Sequence, residues 1–278
     1  MRFEKWQALG NDYVVVERDD LPWELSAERV RRICEPHFGV GSDGVLLLAP
    51  PTDPEHVADL RIFNPDGSEA ELSGNGAREA VLYLRAAGLT DADTFTVKTL
   101  AGPVTPTITG ADTVSMAIGR AATSSPDFPG GPADGIGTLE SAGREWRFRH
   151  VNVGNPQCVI EVGDEVEALV LGAIGPAIES NTDLFPNRTN VSFTSVDGPL
   201  VRARIFERGV GETLASGTGA SGAAVAAFLD GAPSPLTVRL DGGELTVEVG
   251  DDLELTLTGT ASRVYAGELD PALVRALA

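Results

Sequence analysis

Hydrophobic and polar positions along the chain change period several times, and each change marks an element. Alternation or short apolar runs predict strands at 12-DYVVVE-17, 44-GVLLLA-49, 59-DLRIFN-64, 113-TVSMAI-118, 157-QCVIEV-162, 200-LVRARIFE-207 and 253-LELTLTG-259. The opening residues, 1-MRFEKWQALGNDY-13, alternate in the same way. Helical spacing follows capping serines. Ser26 opens 27-AERVRRICEPHF-38 with Gly39 as its stop, and Ser73 and Ser216 each open a glycine-led helix. The stretch 119-GRAATSSPDFPGGPADGIG-137 has no period and reads as a connector or an excursion at a domain junction.

The pattern also repeats. When 63-FNPDGSEAELSGNGA-77 is set above 206-FERGVGETLASGTGA-220, Phe63 meets Phe206, Glu69 meets Glu212 and Ser73 meets Ser216. Gly74, Gly76 and Ala77 fall on Gly217, Gly219 and Ala220, all at an offset of about 143 residues. Nearly the same offset relates Gly10-Asn11 to Gly154-Asn155. Two copies of one unit are therefore expected. In each, a strand ends in a polar turn and a Ser–Gly–x–Gly segment starts a helix. Glycine lets the backbone approach a ligand there, and the first helical N–H groups stay free for a carboxylate. If the copies face each other, both serines converge on one cleft. An isolated serine would be only a helix cap; its recurrence inside matching polar motifs points further.

Composition narrows the class of protein. The 278 residues are 42% hydrophobic, enough for proper cores, and their formal net charge is −20. A field of that sign repels phosphate backbones, so nucleic acid is not an expected partner, and the charge reads as a solvated acidic surface. No apolar run approaches the ~20 residues of a membrane span. The amino terminus lacks the apolar core of a secretory leader. A cytoplasmic protein with no membrane partner is expected. Cys34 and Cys158 read as buried free thiols, and with His37, His56 and His150 widely spaced no metal site is expected. No P-loop or dinucleotide fingerprint occurs, because 39-GVGSDG-44 lacks a following helix; no cofactor is expected.

Six ordered segments now stand out: 9-LGNDYVVVE-17, 36-PHFGVGSDGVLLL-48, 61-RIFNPDGSEAELSGNGAR-78, 152-NVGNPQCVIEV-162, 190-NVSF-193 and 206-FERGVGETLASGTGA-220. Together they resemble the diaminopimelate epimerase family, cofactor-independent amino-acid epimerases of lysine and peptidoglycan synthesis. The resemblance implies an α+β fold of two pseudo-symmetric domains, each a mainly antiparallel sheet curled around a central helix. It divides the chain into 1–117, completed by 263–278, and 118–262. It implies an isomerase interconverting LL- and meso-diaminopimelate through a pair of cysteines, one heading each glycine-led helix. Carried over by position, substrate-binding residues would be Asn11, Asn64, Gly74, Asn75, Asn155, Asn190, Glu207, Arg208, Gly217 and Thr218. Taken singly, each Asn suits a turn equally well, and Glu207 with Arg208 suits a strand-end ion pair. Families of this shape commonly form homodimers, although no interface stripe is legible.

The catalytic pair departs from the family. Ser73 and Ser216 occupy the two cysteine positions, and Gln157 stands where the family commonly carries His. Cys158, one residue on, should face the other way in a strand. A thiol ionises near pH 8.5, whereas a serine hydroxyl is far weaker as an acid. Helix-end electrostatics contribute about 0.3–1 kcal/mol, too little to make an alkoxide. Three readings stay open. Cysteines have been exchanged artificially for serine; or a divergent isomerase, racemase or dehydratase acts on another amino-acid-like substrate, with Glu69, Glu79 or Glu212 as base; or the chain is a non-catalytic amino-acid-binding homologue.

Overall fold

The computed structural model describes all of residues 1–278. Chain contacts divide into two compact units, Met1–Met116 with Gly259–Ala278, and Ala117–Thr258. The first unit holds β1 (Arg2–Ala8), β2 (Asn11–Glu17), α1 (Ala27–Cys34), β3 (Val45–Ala49), β4 (Ala58–Phe63), β5 (Glu69–Ala70), α2 (Gly74–Ala86), β6 (Val97–Thr99), β7 (Gly102–Val104) and β8 (Thr107–Ile108). β9 (Thr113–Arg120) carries the chain into the second unit. There follow β10 (Ile136–Ser141), β11 (Arg144–Asn152), β12 (Pro156–Glu161), α3 (Leu171–Glu179), β13 (Asn190–Asp197), β14 (Leu200–Glu207), β15 (Gly211–Thr213), α4 (Gly217–Leu229), β16 (Leu236–Leu240) and β17 (Gly243–Val249). β18 (Glu254–Thr260) leads back to β19 (Ser262–Glu268) and α5 (Pro271–Ala276) of the first unit.

The two units use the same order of strand pairings. In the first, β19–β1 and β1–β2 are antiparallel, β2–β3 parallel, β3–β4 and β4–β5 antiparallel, β4–β6 parallel and β6–β7 antiparallel. In the second, β10–β11, β11–β12, β12–β13, β13–β14, β14–β15, β14–β16 and β16–β17 run through the same succession. Each sheet is thus mainly antiparallel, and each packs against one central helix.

Strand residues alternate between two cores in the first unit. Tyr13 and Val15 join the cluster around α2 with Leu46, Leu60 and Leu84, whereas Val14 and Val16 face Val30, Ile33 and Leu47 beneath α1. Burial on both faces explains why 13-YVVV-16 is apolar without interruption. In the second unit α4 is buried nearly all round, from Gly219 through Ala227. Its small side chains let the sheet come close. A Cβ on Gly219 would lie 2.6 Å from the Ile205 side chain, and one on Gly222 would lie 2.8 Å from Gln157 Cγ.

Two expectations need correction. The first helix stops at Cys34 rather than running to Phe38, because Pro36 forces the preceding Glu35 into an extended conformation. The 119–137 stretch joins no units: residues 117–258 form one body, and Phe128 packs with Phe148 and Phe185 inside it. It is an excursion folded onto its own core. No helix is long and apolar enough to cross a membrane.

Candidate functional site

Each central helix begins in the same way. Ser73 has extended backbone and its Oγ accepts the Gly76 N–H at 3.1 Å; Ser216 does the same for Gly219 at 3.2 Å. The caps leave the N–H groups of Gly74 and Asn75, and of Gly217 and Thr218, as helix-end donors. Upstream, Phe63 pairs with Glu69 and Phe206 with Glu212 across the short return strands. Arg61 clamps Glu69 with two bonds of 2.8 Å, and Arg204 holds Glu212.

The serine hydroxyls differ in their second partner. Ser216 is 4% exposed and donates to Glu207 Oε2 at 2.9 Å. Ser73 instead accepts from the Tyr13 hydroxyl at 3.3 Å. A hydroxyl has one hydrogen. Ser216 gives its hydrogen to a carboxylate, while Ser73, already accepting twice, keeps its own.

Around Ser73 the side chains of Asn11 and Asn75 meet. Asn75 Nδ2 donates to Asn11 Oδ1 at 3.1 Å, Arg78 Nη2 donates to Asn75 Oδ1 at 2.7 Å, and Asn11 Nδ2 donates to Asp43 Oδ2 at 2.9 Å. Asn64 stays out of this group: its Nδ2 bonds Ser68 Oγ in a turn closed by Gly67. In the second unit Asn155 Nδ2 reaches Thr218 Oγ1 at 3.3 Å, and Gln157 Nε2 donates to Asn155 Oδ1 at 2.6 Å. Asn190 accepts the Arg208 N–H and donates to the Pro156 carbonyl. Glu207 and Arg208 form no ion pair with each other, since the guanidinium turns to the Asn187 carbonyl.

The alternative acids and bases fare differently. Glu69 is held below the usual carboxylate range by its Arg61 hydrogen bonds, and Glu212 is taken by Arg204, so neither is placed as a base. Glu79 is fully buried with no side-chain partner, and loss of solvation pushes its carboxyl well up. The neighbouring Arg78 is pushed down to about 10, also by burial, and stays charged at neutral pH. Cys158 points into the hydrophobic core, and burial raises its thiol. His150 bonds Ser125 and lies among Phe128 and Phe185, while His37 is exposed. Tyr13, Asp43 and Arg78 escape the sequence reading, although all three lie within the quoted motifs.

The chain shares its two-unit α+β fold with several solved structures. A phenazine biosynthesis protein of the PhzF family from Bacillus anthracis matches with a TM-score of 0.69 over 97% of this chain and 99% of its own, at 20% identity. A hydroxyproline epimerase from Agrobacterium vitis matches with a TM-score of 0.64 over 98% and 92%, at 18% identity. At such identities the likeness is one of fold. The family model for diaminopimelate epimerase matches residues 3–123 and 149–264. Diaminopimelate epimerase 2 of Nostoc sp. is 40% identical over 275 residues, covering 97% of this chain and 95% of its own. The diaminopimelate epimerase of Pelotomaculum thermopropionicum is 39% identical over 279 residues, covering 96% and 98%. The chain belongs to the diaminopimelate epimerase family.

Proposed function

We propose that the protein is a cytoplasmic isomerase of lysine biosynthesis that interconverts LL- and meso-diaminopimelate by moving the α-proton, with Ser73 and Ser216 at the proton-transfer positions. The observation that carries this reading is the pair of Ser-capped, glycine-led helices, one in each unit of a chain that matches the family nearly end to end. Asn11, Asn64, Gly74, Asn75, Asn155, Asn190, Glu207, Arg208, Gly217 and Thr218 are proposed to hold the substrate. The unpaired outer edge of β19, with Val264 and Tyr265 exposed, is where a second copy would add.

In this reading the two hydroxyls, each with a different second partner, take opposite halves of the transfer. An α-proton taken by Ser216 Oγ is matched by the departure of that hydroxyl's own proton to Glu207, so no free alkoxide forms. Ser73 delivers its proton to carbon and recovers one from Tyr13. Exchange with water then restores both groups. Such relays replace the thiolate base by a carboxylate, a weaker base, and the thiol by a hydroxyl, a weaker acid, so turnover is slow. A second reading rests on the capping bonds: each Oγ already serves its helix, which suits a protein that binds an amino acid without turning it over.

Deuterium entry from D2O into the α-carbon of LL- or meso-diaminopimelate separates the two. Exchange that is lost in Glu207→Gln supports the relay. Binding by calorimetry with no exchange sinks the epimerase reading. The double change Ser73→Cys with Ser216→Cys should speed exchange, because a helix amino terminus lowers a thiol from about 8.5 toward neutrality.

A further inference from the structure

The carboxamides of Asn11 and Asn75 lie between two ends of fixed chemistry. At one end is the guanidinium of Arg78, buried within α2 and able only to donate hydrogen bonds. At the other is the carboxylate of Asp43, able only to accept, whose Oδ2 also takes the Asp12 N–H at 3.0 Å. With a pure donor at one end and a pure acceptor at the other, the amides between them have one consistent orientation. Asn75 must turn Oδ1 to Arg78 and Nδ2 to Asn11, and Asn11 must turn Oδ1 to Asn75 and Nδ2 to Asp43. The observed bonds of 2.7, 3.1 and 2.9 Å follow this order.

This order decides what the two amides offer a ligand. Both oxygens are directed into the relay. Each nitrogen has committed one of its two hydrogens and keeps the other. Asn75 is only 8% exposed, so what it shows is narrowly fixed. The cation at one end and the anion at the other polarise both amides in the same sense, which strengthens the remaining N–H groups as donors.

We propose that Arg78 and Asp43 are positioning residues that lock Asn11 and Asn75 as hydrogen-bond donors, so that this end of the first unit selects a substrate carboxylate and rejects a neutral carboxamide or an ammonium group. The inference rests on the reading of Asn11 and Asn75 as substrate-binding residues. Asp43 is itself exposed and touches the ligand only through Asn11.

The test compares LL-diaminopimelate with its α-carboxamide by calorimetry on the full chain. The parent protein should prefer the carboxylate by about tenfold or more, the effect of one good charge-assisted bond. Asp43→Asn replaces a pure acceptor by a group that also donates, which frees Asn11 to turn over. The preference should then shrink to about threefold or less. The side-chain 15N–1H signals of Asn75, two bonds up the relay from the change, should move as well. Arg78→Met should have the same effects; if it fails to fold, the exposed Asp43→Asn variant still decides. A preference that survives Asp43→Asn, or Asn75 signals that stay in place, overturns the proposal. If neither ligand binds the parent protein, the diaminopimelate reading falls, and the Asn75 signals alone decide whether the relay exists.

Discussion

Replacing each capping serine by alanine should cost the two units different amounts, and the structure sets the difference. An N-cap serine contributes about 1 kcal/mol. Ser73→Ala loses that cap and the long bond from Tyr13, at a partly exposed position where water can substitute. The expected loss is about 1–1.5 kcal/mol. Ser216→Ala loses the same cap in a buried place and strips Glu207 of a charge-assisted bond. That adds about 1–1.5 kcal/mol, for a total of about 2–2.5 kcal/mol. Glycine sharpens the contrast. At a solvated cap it costs only a few tenths of a kcal/mol, so Ser73→Gly should be nearly silent while Ser216→Gly should not. Urea unfolding followed by tryptophan fluorescence measures each loss, with Trp6 and Trp23 as reporters in the first unit and Trp146 in the second. Equal losses at the two serines, or a larger loss at Ser73, would refute the assignment of Ser216 as the more tightly held hydroxyl.

Two further outcomes follow from buried titratable groups. Because burial raises the Glu79 carboxyl, the folded state holds its proton above the unfolded value near 4.3, and stability falls as pH rises from there through the folded pKa. Glu79→Gln cannot ionise, so its melting temperature should gain on the parent between pH 4 and 7; a constant gap would mean that Glu79 ionises freely. Cys34 and Cys158 are both buried and unpaired, and burial raises both thiols. The native protein should therefore react slowly with a disulfide reagent at pH 8 and the urea-unfolded chain should show both thiols; rapid native reaction would place one of them at the surface.

Much of the scaffold is legible in the chain. The strands over 200–207 and 113–120 announce themselves by alternation, and the two serine-led helices by a repeated motif. α3 is not legible, because Leu171–Glu179 carries Pro176 in its interior and no side-chain cap; packing of Ile174 and Ile178 holds it. Strand length and Pro36 set the ends that periodicity overruns. At the site, repetition identifies Ser73 and Ser216, and strand geometry correctly turns Gln157 away from Cys158. Glu207 lies only nine residues before Ser216, inside the same motif, but the contacts on the Ser73 side are distant in sequence. Tyr13 reaches Ser73 across 60 residues, and Asn11 reaches Asp43 across 32. No local pattern encodes such meetings.

The near-identity of the two helix starts ends one turn in. Arg78 Nη1 donates to the Gly74 carbonyl where, at the matching place, Ser221 Oγ donates to that of Gly217. Glu79 then stands where the second helix has Gly222, the residue that leaves room for Gln157. A chain built from two like halves risks threading each helix through the wrong sheet while it folds. Here the mistake is costly: α2 in the other sheet would drive Glu79 into Gln157, and α4 in the first would leave Asn11 without Asn75. The buried polar side chains of α2 thus act as an address, telling each half of the molecule which helix is its own.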